Sequence, residues 1–509
     1  MTRNISRRGM IVAGAATGLA GAAAMVARPA LAVAERGDQG SGQRGGTALT
    51  HVTVIDPATG KVLPDMTVVV RGDRITDVGR ADQVRVDGTT VVDLRGKFLI
   101  PGLADMHMHA QAEGIDNGLY VANGVTTVRE MAGSPLAQDW RTRIDAGTLL
   151  GPRYTLGSRI IDGAPSIWDP AYLDIIQIAN PEEARAAVRG EIARGADFIK
   201  VYSRVSRDAY RALAAEAHRQ GVPFAGHCPD QVAIDEAADL GQASVEHMFW
   251  TPFETSRKEA EIRAEIDRMR LELGDYSGWF AAIHPLEWSA AHSYSPAKAR
   301  QLYGKLARRR TRQVPTLAMH YGLDNARDLN MDDPRNKYLP PSAVGSQELA
   351  RQEFYLKDRA PSEDAEWAAM FQYRLRTVKQ MHEAGVPLMT GTDTGTCAVW
   401  PGFSVHDELS HFVAAGLTPM EALYTATVEP ADFLGVRSGR IARDHAADLV
   451  VLDANPLNDI TNTQALSGVV VRGKYIGPQD RLNILSEVER VAATTPAAAV
   501  AAGCPCHAG

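Results

Sequence analysis

Cysteine is scarce in this chain, with four in 509 residues. So few thiols in so long a sequence exclude a disulfide-held scaffold. Cys228 and Cys397 fall inside apolar segments, and Cys504 and Cys506 form "CPCH" in an Ala-rich tail that reads as a disordered end. A basic block is also missing: Asp and Glu number 61 against 54 Lys and Arg. An acidic chain without a basic patch lacks the electrostatic footprint of a nucleic-acid binder. Composition is otherwise that of a globular protein, 45% hydrophobic and 23% charged.

Long apolar runs are lacking too, except at the start. "RNISRRGMIVAGAATGLAGAAAMVARPALA" has a basic opening with paired Arg7 and Arg8, a Gly/Ala-rich apolar run, and Ala30-Leu31-Ala32 at its exit. This is the pattern of a cleavable twin-arginine export signal over residues 1–32. A periplasmic or secreted location follows, with no stable membrane span after cleavage. Losing the four arginines of that segment takes the net charge from −7 to −11.

Residues 33–46 are Gly-rich and charged, the composition of a linker. From Thr47, "ALTHVTVIDPATGKVLPDMTVVVRGDRITDVG" alternates apolar and polar residues between turn signals, as short antiparallel strands do. "ADLVVLDANPL" and "GVVVRGKYI" repeat the pattern near the other end. One small β-sandwich built from residues 47–98 and 436–485 is expected, with a tail over 486–509. Residues 99–435 differ: eight short β-branched runs, mostly followed by helical spacing, predict an α/β fold of the (β/α)8 TIM-like barrel kind. The long stretches from Trp250 to Arg312 and from Tyr321 to Ala384 read as helical insertions over one rim.

Barrel chemistry sits at the C-terminal ends of the strands. There the first run ends in His107 and His109, the fourth in Lys200, the fifth in His227, the sixth in His247 and the eighth in Asp393. Imidazole and carboxylate suit zinc and similar divalent ions. Any one of these residues alone reads equally as a hydrogen-bonded core group; the set at one rim is what points to a metal centre. Tyr202, His320, Trp168 and His406 are weaker candidates for substrate contact, and Asp105 for support of the first histidine pair. Lys200 poses its own question, because a lysine in a buried strand needs a partner.

"LIPGLADMHMHA", "NGVTTVRE", "GADFIKVY", "FAGHCP", "SVEHM", "LMTGTDTG" and "AGLTPMEALYTAT", with "ADLVVLDANPL", resemble the metal-dependent amidohydrolase superfamily. The branch of Xaa-Pro dipeptidase-like enzymes and imidazolonepropionase relatives is the most similar. The resemblance implies two divalent ions, zinc the expected element. It implies one ion on His107, His109 and Asp393, a second on His227 and His247, and Lys200 carbamylated between them. It further implies that a hydroxide shared by the ions hydrolyses an amide-like C–N bond in a dipeptide, N-acyl amino acid or related amide, with Asp393 moving the proton. A one-ion deaminase or cyclic-imide hydrolase on the same fold is the alternative, and a non-catalytic metal- or solute-binding protein a more distant one. The implied partner is a small-molecule amide or peptide; homo-oligomerisation stays open.

Overall fold

The structure is a computed structural model, and it describes residues 45–171 and 173–497. The export signal, most of the linker and the "CPCH" tail lie outside the described residues.

The chain enters through β1 (Gly46–Asp56), β2 (Lys61–Arg71), β3 (Arg74–Arg80), β4 (Thr89–Asp93) and β5 (Phe98–Pro101). It then runs through β6 (Leu103–Met108), β7 (Val125–Glu130), β8 (Arg153–Leu156), β9 (Ile161–Gly163) and β10 (Ile176–Ile178). β11 (Ile199–Val201), β12 (Phe224–Gly226), β13 (Ser244–Glu246) and β14 (Arg312–Val314) follow. It closes with β15 (Leu449–Leu452), β16 (Leu466–Val471) and β17 (Lys474–Ile476).

The two chain ends meet as the sequence suggests, although in one sheet. β5 pairs parallel with β1 on one side and antiparallel with β15 on the other, so an eight-stranded sheet runs β17-β16-β15-β5-β1-β2-β3 with β4 on β1. Where a two-layer sandwich was expected, β5 joins the N-terminal and C-terminal strands edge to edge. The period of two along each strand divides its faces. Leu99, Leu449, Val451 and Val470 enter a cluster separate from the main core. Their neighbours Ile100, Val450, Leu452, Val469 and Val471 enter the main core. Alternate residues therefore fasten the sheet to the rest of the molecule.

That main body is a TIM-like barrel of mixed α/β content. β6-β7-β8 form one parallel sheet and β10-β9-β11-β12-β13-β14 another. Single parallel bridges link Gly157 to Phe198, Gln313 to Leu388 and Met108 to Thr394. Two expected strands differ in detail. "PRYTLGSRII" splits into β8 and β9, and "PLMTGTD" contributes isolated bridges rather than a strand.

Both long insertions are helical, as expected. The first includes the helix Tyr276–His292 and the second the helix Asp364–Glu383. Arg374 of the second ties them together, with Nε 2.8 Å from Asp324 and Nη1 3.0 Å from Glu287 of the first, all three fully buried. The expected tail boundary at 485 falls inside a helix, Pro478–Thr494. Ile484, Leu485, Val488, Val491 and Ala492 share one apolar stripe buried in the core, so this segment belongs to the body. No described helix is long and apolar enough to cross a membrane.

Candidate metal centre

His107 and His109 stand two apart at the end of β6, so their side chains leave the strand on the same face. Lys200 is central in β11, His227 follows β12 directly, and His247 follows β13. Asp393 lies in the turn after the bridge at Leu388. Parallel pairing brings these ends to one rim. His107, His109, Lys200, His227, His247 and Asp393 all line a single cavity.

Within it, Oδ1 of Asp393 lies 3.2 Å from Nε2 of His109 and 3.4 Å from Nε2 of His107. One donor atom each from His107, His247 and Asp393 falls within 4.8 Å of the other two, close enough to share an ion. The tightest cluster thus takes one histidine from each expected ion set. Ring centroids of His227 and His247 are 4.8 Å apart, which carries the histidine wall on toward Lys200.

Three histidines have Nδ1 engaged away from the cavity. His107 contacts Glu246 at 3.0 Å, His227 contacts Ser203 at 2.8 Å, and His247 contacts Thr316 at 2.8 Å. The Glu246 carboxylate only accepts, so it holds the His107 proton on Nδ1 and leaves Nε2 its lone pair, the state a metal-binding imidazole needs, while the Ser203 and Thr316 hydroxyls orient the His227 and His247 rings. The donor set therefore fits divalent cations. Burial, with Lys200 nearby, holds His107 and His227 well below the ordinary histidine pKa, and His247 is lowered to about 3. All three are neutral at pH 7. Asp393 is the reverse case: burial pushes its pKa up, but His247, His109 and Lys200 outweigh that and keep it below the usual value, hence ionised. Burial lowers the Lys200 ammonium to about 8, against the opposing pull of Glu246 and Asp393.

The backbone is bent to reach this arrangement. His247 (φ 63°), Asp393 (φ 62°) and Thr316 (φ 47°) adopt left-handed conformations, unusual for residues with a Cβ. Such strain persists where surrounding structure over-determines it, and it gathers at functional sites. Two glycines make the approach possible. A Cβ on Gly226 (φ 129°) would lie 2.3 Å from the Val201 carbonyl oxygen and 3.0 Å from the Lys200 side chain. A Cβ on Gly391 would lie 2.9 Å from His107.

Asp105 performs the supporting role expected of it. Its carboxyl accepts from the backbone N–H of His107 and of Thr392 and from the Thr392 hydroxyl, fastening the first histidine pair to the turn that presents Asp393. Burial raises its pKa to about 7 despite those hydrogen bonds.

The weaker candidates divide. Tyr202 lines the cavity, stacked on His227 at 3.9 Å. Trp168 stands behind the wall, stacked at 4.0 Å on Tyr276, which does line it. His320 does not reach the cavity: its Nε2 accepts from the backbone N–H of Met248 at 3.0 Å and so steadies the turn carrying His247. His406 is also elsewhere. Its helix turns it toward the 460–464 segment, where it meets the Thr463 hydroxyl and the Asn123 carbonyl.

Sequence reasoning missed two groups. Glu246, one residue before His247, joins His107 to a buried Arg129 at 2.8 Å; the Glu-His pair in "SVEHM" was its signal. The other is an aromatic wall. Tyr276, Trp279 and Phe280 come from the first insertion, spaced i, i+3 and i+4 so that one helix face presents all three, and Phe249 and Tyr355 complete it.

Residues 371–476 match the amidohydrolase family. A curated relative, a dihydroorotase of Pelotomaculum thermopropionicum, is 23% identical over 428 residues, covering 79% of this chain and 87% of its own length. Among solved structures, a putative prolidase from Bifidobacterium longum superposes with a TM-score of 0.60 at 24% identity, covering 87% of this chain and 98% of that one. A bottromycin amidohydrolase reaches a TM-score of 0.69 at 24% identity, covering 87% of this chain and 90% of its own. Likenesses at these identities carry the fold.

Proposed function

We propose, from the premise that this chain belongs to the amidohydrolase superfamily, that it hydrolyses amide-like C–N bonds at a centre of two divalent cations. The single observation that supports this best is the convergence of four histidines, Lys200 and Asp393 on one buried cavity. His107, His109 and Asp393 would hold one ion, and His227 and His247 the other. Lys200 would join them as its carbamate, an anionic two-oxygen donor, which gives a buried lysine a reason to be there. Zinc suits the histidine-rich donor set. Closure of the barrel and export from the cytoplasm belong to the same reading.

When bound, such ions supply Lewis acidity that makes water more acidic and an amide carbonyl more electrophilic. The remaining work falls to the chain's own groups. Asp393, held ionised, accepts the water proton through its carboxylate and delivers it to the departing nitrogen. Glu246 keeps His107 in the tautomer that presents Nε2, and Ser203 and Thr316 orient the rings of His227 and His247. Aromatic side chains opposite the histidines exclude bulk water, which strengthens each of these interactions.

A panel of dipeptides and N-acyl amino acids incubated with zinc-loaded protein tests the reading. Hydrolysis of at least one amide is expected; a panel with no amide turned over, but with deamination of a nucleobase, overturns it. The compact His107/His247/Asp393 cluster favours a second reading, in which one ion serves a deaminase or cyclic-imide hydrolase and Lys200 is no ligand.

A further inference from the structure

The catalytic cavity is small. It has about 40 Å³ of free volume, which leaves no room for an extended substituent of a substrate. Beside it lies a second cavity of about 470 Å³. Phe280 and Tyr355 line both, their rings near parallel (18°) with centroids 6.3 Å apart.

One helix connects the two spaces. Tyr276, Phe280, His284 and Trp288 occur at every fourth position of the helix Tyr276–His292, so they form a single ridge. At ~1.5 Å per residue that ridge is about 18 Å long. Tyr276 lines the inner cavity and Trp288 the outer. Ring contacts are unbroken along it: Tyr276 to Phe280 at 5.1 Å, Phe280 to His284 at 4.4 Å, His284 to Trp367 at 4.6 Å, and Trp367 to Trp288 at 5.1 Å. Of the charged residues of the outer cavity, Glu353, Lys357 and Asp358 are exposed, Asp275 and Glu363 half-buried, and Arg359 is buried with its guanidinium 4.5 Å over the Trp367 ring; Phe280, His284, Tyr355 and Trp367 are the buried rings of its wall.

We infer that the outer cavity is a substrate subsite, and that the preferred amide carries an extended, flat apolar group, a fused or linked aromatic ring system, on one side of the scissile bond. This rests on the amide-hydrolase reading and deepens it. The small inner cavity takes the amide, and the ring system passes the Phe280–Tyr355 pair to lie along the aromatic ridge. Flat faces bury much area against such a wall at low conformational cost.

Ala281 offers a direct test, because it lines the outer cavity and is itself exposed, so a larger side chain can be accommodated in the fold. Zinc-loaded protein is assayed on N-acetyl-leucine, N-(2-naphthoyl)-leucine and leucine 2-naphthylamide, which place the ring system on neither side, the acyl side or the amine side. One naphthyl substrate should exceed N-acetyl-leucine in kcat/KM by about tenfold or more. Ala281→Trp, which fills the cavity, should abolish that preference, and Trp288→Ala, which removes part of its wall, should reduce it. The preference is a ratio within each variant, so partial loss of folded enzyme leaves it unchanged. Equal kcat/KM for small and naphthyl substrates, or a preference that survives Ala281→Trp, overturns the inference. If no amide is cleaved, the amide-hydrolase reading fails, and calorimetric binding of N-(2-naphthoyl)glycine then judges the subsite alone. Binding weakened about tenfold by Ala281→Trp supports it, and no binding or unchanged binding overturns it.

Discussion

Glu246→Gln tests how the centre is held together. Glu246 is fully buried, with Oε2 3.0 Å from Nδ1 of His107, Oε1 2.8 Å from Nη2 of Arg129, and the Ser244 hydroxyl also donating to Oε1. A carboxylate accepts from all three. A glutamine has one oxygen, so its amide NH2 must face either His107 or the Arg129 and Ser244 side. In either pose the buried Arg129 guanidinium loses its counter-charge, a change that costs about 3–5 kcal/mol in comparable buried pairs. Arg129 keeps its bonds to the Met106 carbonyl and the Ser244 hydroxyl, which places the expected loss at the low end, ~3 kcal/mol. If the NH2 faces His107, the imidazole must take its proton on Nε2 to accept at Nδ1, and the nitrogen toward Asp393 loses its lone pair. Zinc affinity should then fall about 10–100-fold. Chemical denaturation of metal-free protein reads the first effect, and zinc competition with a chromophoric chelator reads the second. A variant with wild-type denaturation midpoint and wild-type zinc affinity would refute the claim that Glu246 sets the charge and tautomer of this site.

Asp393→Asn should fold and keep most of its metal, since one carboxylate among several donors is changed, yet lose about 10²–10⁴-fold in kcat on an amide; near wild-type kcat with metal bound would remove Asp393 from the proton-transfer role. Glu408 gives a pH signature. Burial raises its carboxyl to about 8, while one oxygen accepts from the Ala318 N–H at 2.7 Å. Its proton is therefore bound more tightly in the folded state, so stability is full below the unfolded value near ~4.5 and is lost as pH rises through about 8, by a few kcal/mol at most. Glu408→Gln should flatten that part of the stability profile, and an unchanged slope between pH 5 and 9 would contradict it. N-terminal sequencing of protein exported from its native cell should begin at or near Val33, whereas an intact Met1 outside the cytoplasm would rule out cleavage.

The residues of the site were legible because parallel strands deliver their C-terminal ends to one rim, whatever the details of each strand. His107 and His109 needed only the period of two, and His227, His247 and Asp393 needed only to follow apolar runs. The eighth run was overread as a strand because "PLMTGTD" is apolar and β-branched, but Asp393 turns left-handed and the segment makes only bridges. His320 and His406 illustrate what periodicity cannot supply. Both sit near the rim in sequence, yet the direction of each ring is fixed by distant partners, the Met248 amide for one and Thr463 for the other. The aromatic wall was invisible for the same reason, since the pose of an insertion helix over the barrel depends on contacts such as Arg374 with Glu287 and Asp324. The single terminal sheet depends on β5 choosing two partners, and strand alternation names a buried face without naming the neighbour.

The central claim is that six side chains lining one cavity form one centre for two ions, with Lys200 between them. Elemental analysis of purified, zinc-reconstituted protein, beside the Lys200→Ala variant, addresses it most directly. The account predicts close to two equivalents per chain in the parent, and loss of metal together with activity in Lys200→Ala, restored in part by added short-chain carboxylate. One tightly bound equivalent with full amide hydrolysis, unchanged in Lys200→Ala, would contradict it.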